Sequence, residues 1–120
     1  MRGKNFIIPL VVYPFDVMVS VGETNEQLKG KLDKFNVDYR NYFEHPVNLG
    51  RSTLFHSKQT LIRFRKYADH KTIAHEVFHA VTCLLTEIGM PFNIDHNDEA
   101  YAYLIGYLTG EIYKRIGKVV

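Results

Sequence analysis

His75, Glu76 and His79 lie within "TIAHEVFHAVTCLL", the stretch from Thr72 to Leu85, and spell H-E-x-x-H. On a helix, residues four apart project from one side, one turn above the other. The imidazoles of His75 and His79 are therefore expected to meet at one metal ion. Glu76 is rotated by about 100° from His75. That sets its carboxylate beside the ion, where it can take a proton from water as a general base. Zinc suits two imidazoles plus a carboxylate, with a fourth position left for water. The competing reading is a solvated helix face with two unconnected histidines. The wheel favours the first. Ile73, Val77, Val81, Leu84 and Ile88 form an apolar stripe, extended by Ala74, Phe78 and Leu85, and the histidines fall outside it beside Thr82 and Thr86.

Two histidines need a third donor. "NIDHNDEAYAYLIGYLTGEIY" offers Asp95, His96, Asp98 and Glu99. Glu99 is the first choice, followed by Asp98 and then His96. Counted along a helix, Glu99, Tyr103, Gly106 and Gly110 share a face, with Ala102 beside it. Glycine inside a helix costs about 1 kcal/mol against alanine. Close packing of this face on the His75–His79 helix is the expected compensation, and it would carry Glu99 to the metal. A plain first-turn carboxylate favoured by the helix dipole is the alternative for Glu99.

The elements that must position these residues can be read from the same sequence. Phe6 to Tyr13 and Val17 to Val21, rich in Val, Ile and aromatics, read as strands about Pro14. Thr24 to Gln27 reads as a capping box for a short helix ending near Phe35. Asn36 to Arg51 reads as an ordered loop. Leu54 to His56 and Thr60 to Phe64 read as strands about a turn at Ser57-Lys58. Asp69 can cap a helix to about Ile88, ended by Gly89 and Pro91; Asp95 or Asn97 can cap another to about Ile116. The order β-β-α-β-β-α-α makes the class α+β: a small, mostly antiparallel sheet packed on two C-terminal helices, with one short N-terminal helix.

The 120 residues imply one domain, 1–120, with a single core, and 46% apolar content excludes a disordered chain. A net charge of +2 argues against nucleic acid or an anionic membrane as partner. The N-terminal apolar run is broken by Pro9 and Pro14, so it reads as a strand rather than a signal peptide, and no stretch is long enough to span a bilayer. The single cysteine, Cys83, forms no internal disulfide and is expected to be a small buried residue. Cytoplasmic location is the expectation. Arg63, Arg65 and Lys66 read as a basic strand edge: solvated and aggregation-resistant in one reading, a seat for a substrate carboxylate in the other.

On these residues the chain resembles the gluzincin metallopeptidases. "HEVFH" is similar to their H-E-x-x-H, and "NDEAYAYL" looks like their second helix, in which a glutamate followed by alanine supplies the third ligand. Glu99 follows His79 by twenty positions, as in thermolysin-type enzymes. The resemblance covers roughly Leu61 to Leu108. It extends to short metallopeptidases of phages and prophages, with a strand, H-E-x-x-H and an E-A-Y-A-Y helix in that order. The likeness implies a minimal zincin-like domain holding Zn2+ by His75, His79 and Glu99, with Glu76 as the base that activates water against a peptide or protein substrate. It also implies that "TLIRF" is the sheet edge bordering the cleft, where an extended peptide adds as a strand. Two departures stand out. Tyr103 occupies the position of an acidic residue that orients a zinc histidine, and residues 100–120 hold no histidine to match the one that stabilises the oxyanion with a tyrosine in those enzymes. Tyr103, His96, Tyr67 and His56 are the local candidates for that role. The rival reading is a non-catalytic structural or interaction protein, such as a viral particle component, retaining a zincin scaffold. For a phage-encoded chain, virion association and a protein partner in assembly follow.

Overall fold

The computed structural model describes residues 3–47, 49–117 and 119. Its order is β1 (Lys4–Pro9), β2 (Asp16–Val21), α1 (Asn25–Lys34), a 3-10 turn (Tyr42–Glu44), β3 (Gly50–Leu54), β4 (Thr60–Phe64), α2 (His70–Glu87) and α3 (Asp98–Ile116). This is the expected succession of elements in an α+β domain. The four strands form one sheet in the order β1-β2-β4-β3. β1–β2 and β3–β4 pair antiparallel, while β2 and β4 pair parallel, with Val19 opposite Ile62. The sheet is thus mixed, with two antiparallel pairings and one parallel. The parallel pair arises because α1 and the loop after it carry the chain across one face before β3 begins.

Alternation along the strands gives the sheet two apolar faces. Val17, Val19, Val21, Ile62 and Phe64 face α2 and α3, where they pack with Ile73, Val77, Val81, Leu84, Leu104 and Leu108. Met18 and Leu61 face the other way, against Leu28 and Leu32 of α1 and Tyr42 and Phe55. β4 is buried along its whole length because both faces are covered.

The first strand is shorter than expected, ending at Pro9. Proline at the end of an edge strand leaves no ladder bond unmade. Leu10 resumes contact through its N–H to the Phe15 carbonyl at 3.2 Å. The expected strand at Leu54–His56 lies earlier, at Gly50–Leu54; the chain turns at Phe55–Gln59, with Lys58 at φ 70°. "TLIRF" is β4 and lies inside the sheet, so the edge beside α2 is β3. Arg63 is buried rather than a basic edge residue; its guanidinium donates to the Glu23 carbonyl and to Asn25 Oδ1 at 3.1 and 2.9 Å.

The caps follow the sequence at two helices. Thr24 and Gln27 form the reciprocal capping box of α1. The Asp69 carboxylate accepts the Thr72 N–H at 2.7 Å at the start of α2. At α3 the cap position is Asn97, but its side chain is engaged elsewhere: Oδ1 accepts the Asn93 N–H at 2.7 Å and Nδ2 donates to the Pro91 carbonyl. Asn97 therefore closes the α2–α3 loop instead of capping the helix. Among the described residues no helix is long and apolar enough to cross a membrane.

Candidate metal centre

α2 buries Thr72, Ile73, Glu76, Val77, Ala80, Val81, Leu84 and Leu85. Ala74 and Phe78, expected to widen the stripe, are exposed, as is Cys83, expected to be buried. His75 and His79 lie on the outward side of α2. Their Nε2 atoms are 3.1 Å apart, one ring nitrogen donating to the other, with ring centroids 4.7 Å apart. Two nitrogens bound to a tetrahedral zinc at 2.0–2.1 Å stand about 3.3 Å apart. The pair thus has nearly the separation that two positions of such a site require.

Glu76 is only 5% exposed, unlike its neighbours in the motif. Its helical position turns it toward β3, and one carboxylate oxygen lies 3.9 Å from His75 Nε2. Ser52 of β3 fixes it from the sheet side: the hydroxyl is 2.7 Å from the Glu76 carbonyl oxygen and 2.9 Å from Oε1, and its single proton serves this pair of acceptors. Gly50 makes the approach feasible. A Cβ there would sit 2.8 Å from Thr72 Cγ2 and 3.0 Å from Glu76 Cγ, closer than packing allows. His75 and Glu76 line a cleft of about 400 Å³ together with Leu49, Gly50, Asp69, Lys71 and Thr72. The cap bond from the Thr72 N–H holds the Asp69 carboxyl below the usual carboxylate range.

Glu99 lies elsewhere. α3 buries Tyr101, Leu104, Leu108, Ile112 and Ile116. Glu99 stands roughly 160° round the helix from Tyr101, on the solvent side. Tyr103 on that side is 55% exposed, and a Cβ at Gly106 or Gly110 would meet no atom within 4 Å. The expected close packing of this face on α2 is therefore not how the helices meet; their buried sides, with Val81 and Leu84 on α2 and Leu104 and Leu108 on α3, belong to one apolar core. Among the described residues no three His, Cys, Asp or Glu side chains gather in a metal-holding group. The structure pairs His79 with His75 and sets Glu76 3.9 Å from His75, and leaves Glu99, Asp98 and His96 exposed at the start of α3 and in the loop before it.

Ser52, Gly50 and Lys71 were not singled out from sequence as site residues. Ser52 and Gly50 reach the site only through strand order, which no local pattern encodes. Lys71 could have been found, since it lies four residues before His75 on the same helix. The chain matches no family model, no curated protein and no solved structure.

Proposed function

We propose that this protein is a zinc-dependent hydrolase of peptide bonds with a minimal zincin-like site on α2. The observation that carries the reading is the His75–His79 pair, Nε2 atoms 3.1 Å apart, beside a buried Glu76 carboxylate anchored by Ser52. Burying a carboxylate carries a desolvation cost, and Ser52 offsets it with a single proton shared between two acceptors. A zinc ion, when bound, supplies Lewis acidity and lowers the pKa of water. Glu76 then acts as the base: it takes a proton from the water that attacks the amide carbon and returns it to the amine released as the C–N bond breaks. β3 is an edge strand next to this carboxylate, so an extended peptide can pair with its free side.

His75 and His79 fit two positions of the site. Glu99 is the carboxylate expected at the third, and its outward seat on α3 does not bring it to the histidines. Loss of metal in Glu99→Gln supports the assignment; full retention removes it and leaves the histidine pair.

The second reading, a non-catalytic interaction protein on the same scaffold, is favoured by the exposure of Phe78, Phe92, Ile94 and Tyr103 around α2, α3 and their loop. Hydrolysis of a mixed peptide substrate by zinc-treated protein separates the two. Glu76→Gln is expected to lower the rate by about 10²–10⁴-fold, the usual worth of a general base. Equal rates in both proteins, or no turnover in either with zinc bound, favour the interaction protein.

A further inference from the structure

Leu49 lines the cleft at His75 and Glu76 and also a second cleft of about 240 Å³ with Arg65, Lys66 and Tyr67, so the two are neighbours. The two neighbouring clefts carry three exposed cations, Lys71 in the first and Arg65 and Lys66 in the second. Two carboxylates lie among them, and both are engaged: Asp69 accepts the Thr72 N–H, and Glu76 is held by Ser52. Among the described residues, ion pairs occupy Arg40, Lys58, Lys114 and Arg115, and none involves Arg65, Lys66 or Lys71. Exposed apolar groups line the same clefts, with Leu49 56% and Tyr67 45% exposed.

We infer that this pair of neighbouring clefts selects peptides bearing a carboxylate, which Lys71, Arg65 and Lys66 receive while the neighbouring backbone lies along β3 at Glu76. The inference rests on the proposed peptide-hydrolase reading and adds the substrate class. A peptide is favoured over a nucleic acid on two grounds. The edge strand offers backbone donors and acceptors that a peptide matches. Three cations on a chain of net charge +2 are too few to hold a phosphate backbone. The carboxylate can come from an Asp or Glu side chain or from a free C-terminus.

The test uses Glu76→Gln protein, so that peptides survive, and fluorescently labelled peptides of one length read by anisotropy. One carries two Asp, one two Lys, and one neither, all three with amidated C-termini; a fourth is neutral with a free C-terminus. Metal content is measured on the same samples. The Asp peptide or the free-C-terminus peptide is expected to bind at least about tenfold more tightly than the neutral amide, with the margin shrinking as salt is raised. Which of the two binds identifies the source of the carboxylate. Adding Arg65→Glu, Lys66→Glu and Lys71→Glu is expected to turn the preference toward the Lys peptide; Lys71→Glu alone gives a smaller turn and serves if the triple variant misfolds. Equal binding of all peptides, an unchanged preference in the charge-reversed protein, or tighter binding of an oligonucleotide than of the Asp peptide would overturn the inference. Metal retained with no charge preference sinks the inference alone. Preference present without metal sinks the hydrolase reading alone.

Discussion

On α2, His75 and His79 stand one turn apart and meet at 3.1 Å, with Glu76 beside them pressed onto β3. On α3, Glu99, Tyr103, Gly106 and Gly110 also share a face at helical spacing, yet that face looks into solvent. Spacing alone is equally good in both. What differs is the opposite side of each helix. The apolar stripe of α2 fixes its rotation so that Glu76 lands on the sheet edge, whereas Tyr101, Leu104, Leu108 and Ile112 rotate α3 so that Glu99 points away. A helix buries its most apolar arc, and a chemically suggestive face goes wherever that arc sends it.

The largest expected break in this comparison comes from Gly50. Gly50→Val places a Cβ against Thr72 and Glu76 and is expected to cost about 1–3 kcal/mol by overpacking, read by denaturant unfolding; an unchanged midpoint would show that α2 does not rest on β3 as described. The matching change on α3 has the opposite sign. Gly106→Ala and Gly110→Ala enter open space and are expected to stabilise by up to about 1 kcal/mol each through helix propensity. Destabilisation by either would mean that this face is packed after all, and would restore the route by which Glu99 reaches α2. The smallest effect is expected at the Asp69 cap, which sets where α2 begins. Its carboxyl is held low by the Thr72 N–H in the folded chain. The contribution is therefore complete above the ordinary aspartate pKa of about 3.9 and is lost as pH falls through the lower folded value. The melting temperature of Asp69→Ala should lie slightly below that of the parent at neutral pH, with the gap closing in acid. A gap that persists or widens in acid contradicts the cap.

Much of the fold was legible because its signals are local. Thr24 and Gln27 announce a capping box, Asp69 a helix start, and alternation in "TLIRF" a strand. The placement of that strand was not legible. β4 reads as a half-buried edge because Arg63 alternates with apolar residues, but the guanidinium is buried against Glu23 and Asn25, so both faces are covered. Pairing partners are set by non-local contacts, and the parallel β2–β4 pair spans the whole α1 excursion. The site divides in the same way. His75, Glu76 and His79 lie on one helix, so their spacing sufficed. Ser52 and Gly50 come from another strand and were invisible until β3 was known to be the edge. The Glu99 expectation rested on glycines implying close packing, and Gly106 and Gly110 meet open space instead.

The central claim is that His75 and His79 hold a metal ion as a pair. Elemental analysis of purified protein, parent beside His75→Ala and His79→Ala, tests it most directly. The account predicts about one zinc per chain in the parent and loss in either variant, accompanied by a drop in the zinc-dependent gain in melting temperature. A parent that binds no zinc, or variants that keep it in full, would contradict the account.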